Sequence, residues 1–201
     1  MAGRPREFDR SEALARARDT FWARGFEPTS MTDLIASTGV ASASLYAAFG
    51  SKEALFREAI TDYEMREGAF AERALNEEPT AYAAVERMLC DAVRLFTRRR
   101  KSWGCMVVTS ALNCSDQALK TWLSTRRNSR TASIIERLRE AVRTGELHPE
   151  TDAVALGDLY ATLLQGLSVQ ARDGISRNRL MNMVAMAMRI MDAARPIPHR
   201  G

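Results

Sequence analysis

Apolar residues recur along this chain at intervals of three and four, the period of a helix, and no alternating run of the kind a half-buried strand needs is present. The spacing predicts a first helix from about Asp9 to Arg24, with Leu14, Ala17 and Phe21 on one face. Gly25 then stands at a position suited to positive φ, and Phe26 can fold back on Phe21. Ser30 is placed to cap a second, short helix, with Asp33 three residues on as the other half of a capping box. Met31, Leu34, Ile35 and Thr38 give that helix one buried face. Gly39 supplies a turn and Val40 plugs it. In the third helix Ala41, Leu45, Ala48 and Phe49 fall inward, and Ala43, Ser44, Tyr46 and Ala47 fall outward. Ser51 caps a fourth helix, which the pattern carries to about Leu75, short of Pro79.

Further helices are predicted over Thr80–Arg98, within residues 102–113, and over Ser115–Thr144, Thr151–Arg172 and Ser176–Ala194. The last two are apolar around most of their circumference. A terminal helix covered only by its own domain keeps one face wet, so this pattern predicts burial against a second copy of the chain.

Two short helices joined by a Gly-centred turn, the second with small outward side chains, form a helix-turn-helix whose backbone can approach a DNA major groove. Lys52 sits in the first turn of the next helix. There it disfavours the dipole, yet faces a helix N-terminus suited to a phosphate.

Composition adds limits. With 201 residues, 46% of them hydrophobic, the chain can build a real core. Its net charge of +4 tolerates a polyanion without requiring one. Residues 81–150 hold thirteen basic against seven acidic side chains, and both the run Arg98–Lys101 and the arginines between Lys120 and Arg143 read as solvated helix faces. Cys90, Cys105 and Cys114 form no CxxC pair, and His148 and His199 have no ligand partner at useful spacing, so no disulfide framework, metal site or cofactor is expected. No catalytic triad, phosphate loop or paired carboxylates stand in a credible context, which argues against an enzyme. No apolar run reaches membrane-spanning length and no signal core precedes the first helix; a cytoplasmic protein without membrane contact is expected.

The stretch ALARARDTFWARGFEPTSMTDLIASTGVASASLYAAFGSKEALF, residues 13–56, resembles the TetR family of transcriptional regulators. The order of features carries the resemblance: Gly-Phe after helix one, Thr-Ser before helix two, Thr-Gly-Val in the turn, Leu-Tyr-x-x-Phe in the recognition helix, and Ser-Lys-Glu-x-Leu at the entry to helix four. It implies an all-α fold. A three-helix DNA-binding domain over residues 1–52 would be joined by a long helix to a larger ligand-binding and dimerisation domain over 53–201. It also implies a homodimer on a palindromic double-stranded operator, released by a small-molecule effector. Carried over by motif position, Thr29, Ser30, Ser44, Tyr46 and Lys52 would touch phosphates or bases, and Ala41, Ser42 and Ala43 would lie where base edges are read. Many relatives carry Lys or Arg near the start of the recognition helix and His or an aromatic before its Phe. This chain has Ser42 and Ala48, so specificity would rest on Ser44, Tyr46, methyl contacts from Ala side chains to thymine, and DNA shape. Arg4, Arg6 and Arg10 would add contacts from the N-terminal arm.

For the effector, Trp103, Met106, Thr109, Asn113, Trp122, Tyr160 and Gln165 offer aromatic and apolar walls with a few polar groups, which fits an apolar or aromatic molecule. Two rival functions fit the same residues. One is a thiol sensor of oxidants, electrophiles or copper through Cys105, which follows a basic run. In its metal form this would recruit thioethers from Met181, Met183, Met186, Met188 and Met191. The other is a basic helical module that binds nucleic acid or protein without sequence specificity.

Overall fold

Side-chain oxygens set where most of these helices begin. A computed structural model describes residues 8–98, 103–112 and 114–196, and among them the chain forms ten α-helices and one 3-10 turn, with no strand. Asp9 accepts from the amides of Ser11 and Glu12 and opens α1, Arg10–Arg24. Ser30 opens α2, Met31–Thr38, and Ser51 opens α4, Lys52–Met65. Thr80 does the same for α6, Ala81–Phe96, and Asp116 for α8, Gln117–Arg143. Asp152 opens α9, Ala153–Arg172, and Ser176 opens α10, Arg177–Ala193. Each satisfies amides that the first turn would otherwise leave bare. Between these lie α3, Ser42–Phe49, α5, Phe70–Glu77, and α7, Met106–Leu112.

The predicted helix from Ser51 to Leu75 is broken. Helix α4 stops at Met65, Arg66 leaves helical geometry at φ −105° and ψ −91°, and a 3-10 turn, Glu67–Ala69, precedes α5. The apolar phase runs straight through: Phe56, Ala59, Ile60 and Tyr63 before the break and Phe70, Ala71 and Ala74 after it are all buried. Periodicity therefore cannot reveal the break. Gly68 is the local signal, because a Cβ there would lie 3.1 Å from the Tyr63 ring and 3.2 Å from its carbonyl oxygen.

Helix α1 packs on α4, and α2 on α1, so the N-terminal trihelical unit is held from one side by a continuous helix. In the larger part α8 runs along α9, α6 along both α9 and α10, and α5 along α6. Phe21, Phe56, Tyr63, Phe96 and Tyr160 are fully buried and seed the core. The junction is reinforced by a buried charge cluster. Arg18 on α1 donates to Asp62 on α4 at 2.6 Å and pairs with Glu67 at 3.3 Å, while Arg66 holds the other Asp62 oxygen at 2.7 Å.

Removing one member of a buried pair leaves the other desolvated and alone. Arg18→Ala should lower the free energy of unfolding by about 3–5 kcal/mol in denaturant titration. A loss below about 1 kcal/mol would place the cluster with solvated surface pairs instead.

Candidate nucleic-acid interface and interior cavity

Two reciprocal bonds fix the entry to α2. The Ser30 hydroxyl accepts from the Asp33 amide at 3.1 Å, and Asp33 accepts from the Ser30 amide at 2.9 Å. Gly39 ends the helix in the left-handed region at φ 72°, and Val40 is buried behind it. Leu34 from α2 and Leu45 and Phe49 from α3 close the small core. The angle between the two helices is thus set by a glycine turn and three apolar side chains.

Helix α3 presents Ala43, Tyr46 and Ala47 to solvent, with Ser42 and Ser44 half-buried; Tyr46 is 46% exposed. Ala41 is also exposed, against the inward phase expected for it, because it is the N-cap and lies outside the helical period. No side chain caps α3, so its first-turn amides stay open. Lys52 follows at the head of α4, its ammonium 4.4 Å from the centre of the Phe26 ring. Ser30 is exposed. Thr29 departs from expectation: it is fully buried and its hydroxyl donates to the Gly25 carbonyl at 2.6 Å, so it braces the α1–α2 turn and presents nothing outward. Arg10 belongs to α1 and not to a free arm. It bonds Glu58 at 2.7 Å and lies over the Phe49 ring at 4.4 Å, bracing the end of α3. Arg4 and Arg6 lie outside the described residues.

The larger part encloses a cavity of about 60 Å³ between α4, α8 and α9, with apolar walls that include Phe70, Phe96, Val108 and Leu164. Its polar lining comes from Tyr63, Glu64, Cys105, Arg126, Arg127, Arg130, Thr131 and Gln165. Glu64 pairs with Arg126. Burial pushes the Glu64 carboxyl up, against the pull of Arg126 and Arg130. Arg130 donates to the Gly68 carbonyl at 3.4 Å and lies 3.4 Å from Glu72. Three buried donors of this lining have no acceptor among the described residues: the Tyr63 hydroxyl, Nε of Arg126 and Nη1 of Arg127. Burial drives the Tyr63 phenol well above its usual range, and the neighbouring Cys105 thiol adds to this. Burial also holds Arg127 below the usual guanidinium range.

Of the seven residues expected to line an effector pocket, only Gln165 lines this cavity among those described. Trp103 packs edge-on against Trp22 at 5.5 Å and faces an open groove beside α1. Met106 and Thr109 are buried in α7, with the Thr109 hydroxyl donating to the Cys105 carbonyl at 2.9 Å. Trp122 is sandwiched between Arg57 and Arg126, 4.6 and 4.3 Å from its centre. Tyr160 lies in the α9–α10 seam, where its hydroxyl donates to the Ala187 carbonyl at 3.2 Å and burial pushes its pKa up to about 12. Asn113 lies outside the described residues. The arginines on the cavity wall were missed because a charge run reads as solvent-facing. Their spacing was the available signal, since Arg126 and Arg130, like Arg127 and Thr131, are four apart and share a helix stripe.

Cys105 does line the cavity. Its position comes from the residue before it. Gly104 has φ +70°, and a Cβ there would lie 2.6 Å from the Ser168 carbonyl oxygen. The Trp22 indole donates to the Gly104 carbonyl at 2.8 Å, and the Cys105 amide donates to the Ser168 hydroxyl at 2.7 Å. Residues 103–105 therefore tie α1 to α9. The methionines of α10 line none of this cavity, and no group of three or more metal-ligating His, Cys, Asp or Glu occurs among the described residues.

A family profile described as bacterial regulatory proteins, tetR family, matches residues 13–59. Over 191 residues the chain is 31% identical to the transcriptional repressor ComR of Escherichia coli K12, covering 94% of this chain and 91% of ComR. It is 30% identical to the repressor BdcR of the same organism over 188 residues, covering 93% and 91%. Among solved structures, a cysteine-substituted form of the TetR family regulator CifR, in complex with a 26-base-pair double-stranded operator, superposes with a TM-score of 0.88. That match has 41% identity and covers 93% of this chain and 98% of CifR.

The capping box makes the helix-turn-helix sensitive to acid. Hydrogen bonds from the Ser30 hydroxyl and amide, and then Arg24, hold the Asp33 carboxyl down to about 2. The folded value is below the unfolded one, so this stabilisation is complete above the unfolded value and is lost as pH falls from about 4 towards 2. Asp33→Asn should flatten that part of a thermal-stability profile against pH; an unchanged acid limb would remove Asp33 from the account.

Proposed function

The chain belongs to the TetR family of bacterial regulatory proteins, and on that premise we propose that it is a repressor which leaves a palindromic operator when a small effector fills its interior cavity. The observation that carries this reading is the exposed, arginine-free face of α3 in a chain 41% identical to a regulator solved on operator DNA. Tyr46, Ser44, Ser30 and Lys52 contact phosphates, joined by the uncapped amides of α3. Ala41, Ser42 and Ala43 meet base edges. With no Arg or Lys on α3, bidentate guanine readout from this helix is absent, and thymine methyls and groove shape supply specificity.

Two copies are needed to read a palindrome. Val154 and Leu159 on α9 and Met183, Met186 and Ile190 on α10 are large, apolar and exposed, which supports a homodimer through this face. Leu164, by contrast, is buried and lines the cavity, so it takes no part in the seam. The two recognition helices then meet successive major grooves about 34–36 Å apart. The effector acts by preferring the form in which this spacing is wrong, and each ~1.4 kcal/mol of preference changes operator affinity about tenfold.

A second reading is supported by the position of Cys105 in the cavity wall beside Tyr63. On this reading, alkylation or oxidation of the thiol moves the wall in place of a reversible ligand.

Three measurements decide. Lys52→Ala should weaken binding to every sequence alike and lower the slope of log affinity against log salt by about one; an altered sequence preference with the slope intact would overturn the phosphate role. Met186→Glu, at a side chain 60% exposed in the single chain, should yield a monomer in sedimentation and abolish tight operator binding. Cys105→Ser should keep the response to a reversible inducer and lose any response to peroxide or electrophile. Loss of all induction in a variant that still folds and binds operator would favour the thiol sensor.

A further inference from the structure

The cavity wall is chemically lopsided. Its lining carries three guanidinium groups, from Arg126, Arg127 and Arg130, against one carboxylate, Glu64. Glu64 is taken up by Arg126, and Arg130 shares Glu72 and the Gly68 carbonyl. Arg127 has no such partner among the described residues, and its buried Nη1 lacks an acceptor. The Tyr63 side chain, 1% exposed, lines the same space; its hydroxyl makes no well-formed hydrogen bond and has only the Cys105 thiol and the Met106 amide beside it. Buried donors without acceptors are costly, and a guanidinium more so than a phenol. Apart from Cys105, Thr131 and Gln165 the rest of the wall is apolar, and the volume is small, which admits only a handful of non-hydrogen atoms.

We propose that this cavity is a receptor site for a short-chain carboxylate. Its anionic oxygens accept from the Arg127 guanidinium and the Tyr63 hydroxyl, and its hydrocarbon end lies against Phe70, Phe96 and Leu164. An anion supplies both missing acceptors at once and offsets the uncompensated charge. A neutral aromatic of the kind read from the sequence leaves both unmet. That occupancy releases the operator rests on the repressor reading above; that a carboxylate binds does not.

The test uses the DNA-free protein and calorimetric titration with sodium butyrate, sodium hexanoate and the isosteric hexanamide. The expected result is binding of the carboxylates, with hexanamide weaker by about tenfold or more, the discrimination typical of a charge-assisted contact. Arg127→Gln should erase that preference, Arg127→Lys should restore part of it, and Tyr63→Phe should weaken carboxylate binding with Arg127 intact. Thermal unfolding of each variant checks that it folds; the Tyr63→Phe arm decides alone if Arg127→Gln does not. Equal affinity for amide and carboxylate, an undiminished preference in Arg127→Gln, or no binding of any carboxylate at millimolar concentration overturns the proposal. Operator titration with and without hexanoate is run separately. Binding of hexanoate that leaves operator affinity unchanged supports the receptor site while overturning its coupling to DNA.

Discussion

A buried hydrogen bond ties the part of the molecule that reads DNA to the part that encloses the cavity. The Trp22 indole, at the end of α1, donates to the carbonyl of Gly104. Glycine is required there twice over, by its positive φ and by the approach of Ser168. The next residue, Cys105, anchors to Ser168 on α9 through its amide and turns its side chain to the cavity wall. Three consecutive residues thus touch α1, the cavity and α9. The break after Met65 and the charge cluster of Arg18, Asp62 and Glu67 lie beside the same junction, since Tyr63 packs edge-on against Trp22 at 4.8 Å. A continuous helix from Ser51 to Leu75 would have been one stiff rod. The broken one has a joint, held by ion pairs and an aromatic contact, between the recognition element and the larger part.

How much of this was legible depended on whether the signal was local. Helix starts were, because Ser30, Ser51 and Thr80 act on their own amides within one turn. The buried faces of α2 and α3 were, because Leu34, Leu45 and Phe49 declare themselves by spacing. The break at Arg66 was not, because the apolar phase is uninterrupted and only Gly68 marks it. Thr29 and Arg10 were misplaced for the same reason: whether a hydroxyl or guanidinium turns in or out is decided by partners elsewhere, here Gly25 and Glu58. The cavity was the least legible feature. Its wall is assembled from every helix between α4 and α9, and a run of arginines looks the same in a sequence whether it faces water or a void.

The arginines of α8 divide into two roles that follow from helix geometry. Twenty-seven residues make this helix about 40 Å long, enough to pass both the recognition end of α4 and the cavity. Arg126 stands at the C-terminal end of α4, on the cavity wall. It holds Glu64 from α4 with one nitrogen and lies over Trp122, so its charge is paired although its buried Nε has no acceptor. Arg127, one residue on and turned by about 100°, meets no carboxylate among the described residues. Adjacent residues of one type can therefore differ in function, one a strut and the other an open valence.

Trp122 has a consequence of its own. It lies between a guanidinium from α4 and one from α8, so its indole sits in a field set by the separation of those two helices. A cation above each face shifts and quenches indole emission, and sliding α4 past α8 changes both distances at once. The other two tryptophans, Trp22 and Trp103, meet edge-on at the junction at Gly104. All three tryptophans of the chain thus stand where helices of the two parts meet, two at the Gly104 junction and one between α4 and α8. A change in the spacing of those helices would register in intrinsic tryptophan emission, without a label.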